Sequence, residues 1–211
     1  MTSPVNDFHE KMSIHQVSEY YSHHGDDIMT AYCDYCNTHP EDTFNRTYHD
    51  TQYGFPLHDD NLLFERLILE INQAGLSWIT ILKKADNFRK AYHGFKIEKI
   101  AKYGEKDRAR LLADPGIIRN RLKVNAAIVN AQKILELRKE YGSFEGWLNA
   151  HAKRPLTKDE WTKLFKKTFV FTGGEIVNEV LMSTGYLAGA HGVGCPVYKK
   201  VASLRPAWMR K

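Results

Sequence analysis

Cysteine is scarce in this chain: 211 residues hold three, Cys33, Cys36 and Cys195. An odd count excludes a fully paired disulfide scaffold, and a chain of this length can bury a core without one. No apolar run is long enough to span a bilayer and no secretory leader is recognisable, which predicts a soluble intracellular protein that does not engage a membrane. Strand signals are missing too. No apolar/polar alternation bounded by turn residues stands out, and there is no internal repeat or low-complexity tract. Nor does charge of one sign dominate, since 30 Lys and Arg face 25 Asp and Glu for a formal +5. The basic residues cluster, however: Lys163, Lys166 and Lys167 precede a glycine pair, and Lys199, Lys200, Arg205, Arg210 and Lys211 crowd the end. That distribution suits either a phosphate-contacting face or a solvated helix face and charged tail.

What is present is helical periodicity. Leu62, Leu63, Leu67 and Ile71 recur near 3.6-residue spacing, and a second helix is expected from about Trp78 to Tyr92 with Ile79, Leu82 and Phe88 inward. Shorter helices follow over 97–103 and 106–113, then a turn at Asp114-Pro-Gly116, then a long amphipathic helix over 119–141. Helices over 144–151, 157–169 and from Glu175 to about Gly185 complete an all-α domain. The expected organisation is a polar extension over 1–30, one helical domain over 31–198 and a basic tail over 199–211.

Soft metal ligands stand at both ends of that domain. Cys33 and Cys36 form C-x2-C, His49 follows, and His191 with Cys195 form H-x3-C. Thiolate and imidazole together suit a tetrahedral zinc site that ties the two ends together. A closed site needs four ligands and five candidates exist, so either Cys33 or Cys36 is spare. The competing reading is three unrelated buried thiols in a reducing compartment. Four protein ligands leave no position for water, and neither H-E-x-x-H nor H-x-E with P-C-x-x-C occurs, so the zinc is expected to be structural.

Two further stretches bear on chemistry. In Phe171-Thr-Gly-Gly-Glu175, the glycines could let backbone N–H groups reach an anion such as a DNA phosphate at a helix N-terminus. Thr172 and Glu175 also stand in the S/T-x-x-E relation of a capping box, which would simply start the helix. In Glu70-Ile-Asn-Gln-Ala-Gly-Leu-Ser-Trp78 an otherwise apolar helix carries a carboxylate, and a buried carboxylate needs a partner.

These residues together carry a resemblance. Tyr48-His-Asp-Thr-Gln-Tyr-Gly-Phe-Pro56, Gln73-Ala-Gly-Leu-Ser-Trp-Ile-Thr-Ile-Leu-Lys-Lys84, Asp114-Pro-Gly-Ile-Ile-Arg-Asn-Arg121 and His191-Gly-Val-Gly-Cys195 occur in order. With them the chain from Cys36 to Cys195 resembles the DNA-3-methyladenine glycosylase I family of the helix-hairpin-helix superfamily. The resemblance implies one structural zinc on two Cys and two His, the first Cys thirteen positions before the His of Tyr-His-Asp. That selects Cys36, His49, His191 and Cys195.

It further implies an enzyme of base excision repair that acts on double-stranded DNA, flips out an alkylated base and hydrolyses its N-glycosidic bond without a lysine Schiff base. The base would stack on Trp78, beside Tyr48, and be read by Glu70. Gln73 and Leu76, with Gly75 between them, would belong to the loop that fills the gap left in the DNA, while Thr172, Gly173 and Gly174 would lie against the backbone. No Asp or Glu occurs over 185–195, where many relatives in the superfamily place a sugar-stabilising aspartate; the resembled family lacks it too. Three positions depart from the family pattern. Thr38 and Asn45 stand where aromatics are usual, and Tyr53 where tryptophan is common, which predicts a wider, more polar pocket around Asn45 and Tyr53. Alternatives are a non-catalytic damage-binding module and a glycosylase for a bulkier alkylated base. A monomer is expected to suffice.

Overall fold

The computed structural model describes residues 30–210. The extension expected before Thr30 lies outside the described residues. Among those residues there is no strand, as expected. The helices are α1 (Ala31–Thr38), α2 (Thr43–Thr51), α3 (Asp60–Gln73), α4 (Trp78–Ala91), α5 (Ile97–Ile100), α6 (Glu105–Ala113), α7 (Arg121–Tyr141), α8 (Phe144–His151), α9 (Lys158–Thr168), α10 (Gly174–Ser183) and α11 (Pro196–Ser203). Among the described residues no helix is long and apolar enough to cross a membrane.

α3 is the central post. Asp59 caps it by accepting from the amides of Asn61 and Leu62, and Leu63, Phe64, Leu67, Ile68, Leu69 and Ile71 are all buried. A helix apolar on most of its circumference must be wrapped on several sides; α4, α7, α8 and α10 pack around this one. Its N-terminus is also tied down, because the Asp60 carboxylate accepts from Arg138 Nε at 2.9 Å and from the amides of Phe144 and Glu145 that open α8. Leu62, expected inward, is exposed, since the wrapped arc begins one residue later. In α4 the fully inward positions are Trp78, Ile81, Phe88 and Ala91, with Ile79 and Leu82 at the margin.

Asn120 caps the long α7 through the amides of Leu122 and Lys123, and Gly142 ends it at φ +80°. The capping box foreseen at Thr172 and Glu175 does not form. Gly173 is the cap residue of α10, Thr172 Oγ1 donates to Phe169 O, and Glu175 receives Lys158 Nζ at 3.0 Å. The box occurs one helix earlier, between Thr157 and Glu160.

The two ends of the described chain meet beside α2. Gly54 N donates to Ser183 O, and a Cβ on Gly54 would stand 2.8 Å from that of Ala190, so only glycine allows this approach. Beyond it, α11 runs through residues 199–203, Val201 is buried, and Trp208 N donates to Gly185 O at 3.3 Å.

Candidate functional site

A buried group of soft ligands lies where the ends meet. Cys33 on α1, His49 on α2, and His191 and Cys195 on the loop before α11 bring their ligand atoms within 4.8 Å of one another. Cys33 Sγ lies 3.6 Å from His191 Nδ1, and Cys195 Sγ lies 3.6 Å from both His49 Nε2 and His191 Nδ1. A tetrahedral zinc with ordinary Zn–S and Zn–N lengths sets an S···N edge of about 3.6 Å. The donor chemistry fits as well. His49 Nδ1 is 2.6 Å from Asp50 Oδ1, and His191 Nε2 is 2.7 Å from Tyr53 O. Each ring therefore places its N–H on an outer acceptor and turns its lone pair toward the group, as metal-ligating histidines do. Burial holds both imidazoles neutral, with the His191 pKa lowered to about 4.

The cysteine that stands in this group in the structure is Cys33, whereas the resemblance points to Cys36. The two are one helical turn apart on α1, and the turn that faces the His191 loop is the first. Cys36 is equally buried, but its carbonyl accepts from Arg46 and its thiol sits against the Tyr32 hydroxyl. Burial pushes the Cys33 thiol up to about 11 and that of Cys36 to about 12, so a thiolate at either position needs a cation beside it.

The second site lies between α2, α3, α4 and α10. Tyr48 and Trp78 are 2% and 3% exposed, and their ring centroids are 5.0 Å apart at 59°. Tyr53 follows at 5.6 Å from Tyr48. Glu70, 2% exposed on α3, belongs to the same cluster, and no hydrogen bond reaches its carboxylate among the described residues. Burial first, and then the Glu179 carboxylate, raise its pKa well above the carboxylate range, against the pull of Arg66. Trp78 Nε1 is a buried donor with no partner among the described residues. Native proteins satisfy nearly all such groups, so an orphan at a site marks a place for something else.

Three members of this cluster were not singled out from the sequence. Arg66, four residues before Glu70, donates to the Tyr48 hydroxyl at 2.5 Å and lies 4.8 Å over its ring. Glu179 on α10 accepts from the Tyr53 hydroxyl at 3.2 Å, and burial lifts its pKa to about 7 despite that bond. Tyr32 on α1 stands edge-on to Tyr53 at 5.3 Å and donates to Asn45 Oδ1 at 3.0 Å. The signal for the first two was present: each is a charge within an apolar helix, one turn from other buried positions.

Tyr32 also alters the expectation of a wide, polar pocket. Asn45 is buried with both ends of its amide engaged, Oδ1 by Tyr32 and Nδ2 on Asp42 at 2.8 Å. Thr38 is exposed at the end of α1 and donates to Asp34 O. Neither forms an open polar wall.

The remaining expected residues lie on two loops. Gly75, at φ +83°, turns the chain between α3 and α4; Gln73 Nε2 donates to Leu76 O at 3.0 Å, and Leu76 N to Gln73 O at 2.7 Å, leaving the Leu76 side chain 37% exposed. At the other loop Gly173 and Gly174 open α10, but the Thr172 side chain turns inward. The residues presented outward are Val170 and Phe171, the latter at φ +61°.

Comparison with known proteins agrees with this geometry. The profile of the family described as Methyladenine glycosylase matches residues 37–186. DNA-3-methyladenine glycosylase 1 of Escherichia coli K12 is 36% identical over 180 residues, 77% of this chain and 96% of that protein. DNA-3-methyladenine glycosylase of Haemophilus influenzae is 34% identical over 185 residues, 80% of this chain and 98% of that one. Among solved structures, 3-methyladenine DNA glycosylase I from Staphylococcus aureus superposes with a TM-score of 0.71 at 33% identity, covering 79% of this chain and 97% of that one. A tyrosine-to-phenylalanine variant of 3-methyladenine DNA glycosylase I in complex with 3-methyladenine gives 0.70 at 33% identity, over 77% and 96%. By sequence and by fold, this chain belongs to the methyladenine glycosylase family.

Proposed function

We propose that this protein is a monofunctional DNA-3-methyladenine glycosylase that acts as a monomer on double-stranded DNA carrying alkylated bases. The observation that carries the reading is the buried Glu70 carboxylate, which takes no hydrogen bond from the described residues, in one cluster with two packed aromatic rings and the orphaned Trp78 N–H. A purine methylated at N3 is cationic with a weakened glycosidic bond. An aromatic face attracts such a cation by about 0.5–2 kcal/mol beyond stacking, and neutral adenine gains less. Glu70 accepts the hydrogen bonds of the flipped cationic base, and an analogue without those donors leaves the carboxylate buried and unpaired, which is the larger part of the discrimination. Arg66 fixes the Tyr48 ring from behind through its hydroxyl. The extrusion cost of a few kcal/mol is partly offset because a lesion stacks poorly. Water then attacks the sugar, with no covalent enzyme intermediate.

The test is release of base from a panel of oligonucleotide duplexes carrying 3-methyladenine, other alkylpurines or undamaged adenine. Release of 3-methyladenine first among them is expected. Binding without release over long incubation would select a damage-binding module, and preferential release of a bulkier base would move the substrate. We further propose that the ligand group holds zinc, which would tie α1 and α2 to the loop before α11 and take no part in the reaction.

The carboxylate pair gives a pH signature. Facing Glu179 are Glu70, Tyr53 and Asn178, with Glu175 and Lys158 farther out. Its folded pKa of about 7 lies above the ordinary value of 4.5, so its stabilising contribution is complete below pH 4.5 and is lost as pH rises through 7. Glu179→Gln cannot ionise. Relative to wild type it is expected to gain on the order of 2–3 kcal/mol between pH 5 and pH 8, read as a melting temperature several degrees higher at pH 8 and nearly unchanged at pH 5. Equal melting at both pH values would show that Glu179 is not a strained carboxylate.

A further inference from the structure

Lys123 is a buried cation that neither site uses. It is 5% exposed, and its ammonium donates to the main-chain oxygens of Asn72 at 2.9 Å and Ala74 at 2.7 Å. Its position is unfavourable by two criteria. Burial disfavours the charge and lowers its pKa. It also stands in the first turn of α7, where the helix dipole repels a cation and no acidic residue compensates. What offsets this is the other end of the contact, for Asn72 and Ala74 carry carbonyls at the C-terminus of α3, where a dipole attracts a cation and carbonyls lack helical partners.

Those two carbonyls flank Gln73 and lead directly into Gly75-Leu76-Ser77, the turn between the helix that carries Glu70 and the one that opens with Trp78. Gly75 has nothing within 4 Å of where a Cβ would be, so the turn has no packing of its own on that side. It is held by the Gln73–Leu76 bonds within it and by Lys123 from α7. We infer that Lys123 is a positioning residue that braces the Gln73–Ser77 turn against α7, so that Leu76 can enter the gap left by an extruded base. The inference rests on the glycosylase reading. Lys123 itself touches neither base nor DNA in this scheme.

The role separates two measurements. Free 3-methyladenine needs only the aromatic and carboxylate pocket, whereas release from a duplex needs the turn as well. Lys123→Met is expected to lower kcat/KM for 3-methyladenine release from duplex DNA by roughly 10- to 100-fold, the order that misplacement by about 1 Å brings. It should bind free 3-methyladenine, measured by calorimetry, within about twofold of wild type. Lys123→Arg, which keeps donors for both carbonyls, is expected to recover most of the duplex activity. If Lys123→Met does not fold, Lys123→Gln, which keeps an amide NH2 but no charge, is read the same way. Unchanged duplex activity in the variant overturns the inference, as does an equal loss in both assays, which would make Lys123 a part of the pocket or the core. A wild type that binds the free base yet releases none from DNA would instead overturn the glycosylase reading beneath it.

Discussion

Glu70→Gln is expected to lower kcat/KM for 3-methyladenine release by roughly 10²- to 10⁴-fold while leaving the protein as stable as before or more so. The two effects have one origin. In the free protein the carboxylate is buried without a hydrogen bond from the described residues, beside Glu179, and its folded pKa is raised by burial and by that second anion. An acid shifted in that direction stabilises the fold only while protonated, so replacing it with a neutral isostere removes a cost that grows as pH rises above the ordinary carboxylate value. When the cationic base enters, the cost reverses. Breaking a buried ion pair by removing one member costs about 3–5 kcal/mol, each 1.36 kcal/mol being tenfold in rate. Paired measurements decide it: base release from a methylated duplex, and thermal melting at pH 8. A variant within tenfold of wild type in release would show that the charge at position 70 does not read the base. A variant that both melts earlier and loses release would mean that the carboxylate is structural.

In the proposed reading, such a site gives up stability for function. Glu70 and Glu179 share a cluster with one buried guanidinium, Arg66, which is already committed to the Tyr48 hydroxyl. Functional sites are where such strained pKa values gather.

How far the sequence revealed this arrangement can be judged residue by residue. The helices from α3 to α10 were legible because each has a periodic apolar face and capping or turn residues at its ends, such as Asp59, Asn120, and Asp114-Pro-Gly116. α1, α2 and α11 were not singled out as helices. They are short and polar, and tertiary contact rather than propensity holds them, as His49 and Val201 illustrate. Gly75 and Leu76 are placed on a loop by the resemblance to the family and not by a local signal. The capping relation at Thr172 misled, since spacing alone does not say whether the hydroxyl turns toward the amide or, as here, into the core. Tyr32 was illegible for a different reason. Its partner Asn45 lies thirteen residues away, on another helix, and nothing in the local pattern links a tyrosine before a cysteine to an asparagine before an arginine. Lys123 is similar: three residues into a helix it reads as solvated, and only the fold brings the end of α3 to it.

The choice between Cys33 and Cys36 turns on the same limit of spacing, and it leads to the other large expected effect. Cys33→Ser is expected to abolish stoichiometric metal binding and to lower the melting temperature by roughly 10–20 °C, while Cys36→Ser keeps the metal. Structural zinc in small domains is worth about 10 kcal/mol. Even half of that, about 5 kcal/mol, shifts the melting point of a chain of this size by roughly 10–20 °C. The geometry behind the assignment is the set of S···N separations of 3.6 Å that involve Cys33 and Cys195 but not Cys36. A chelator added to wild type should reproduce the Cys33→Ser melting curve and leave that of the variant unmoved, because both treatments remove the same tie between α1, α2 and the loop before α11. Metal analysis of both variants, alongside wild type at one zinc per chain, separates the possibilities. Loss of metal in Cys36→Ser with retention in Cys33→Ser would mean that α1 sits one turn further along in solution, with Cys36 facing His191. Such a rotation would also carry Tyr32 away from Asn45 and Tyr53. The metal assignment and the place of Tyr32 beside the proposed base pocket therefore both depend on the register of one short helix.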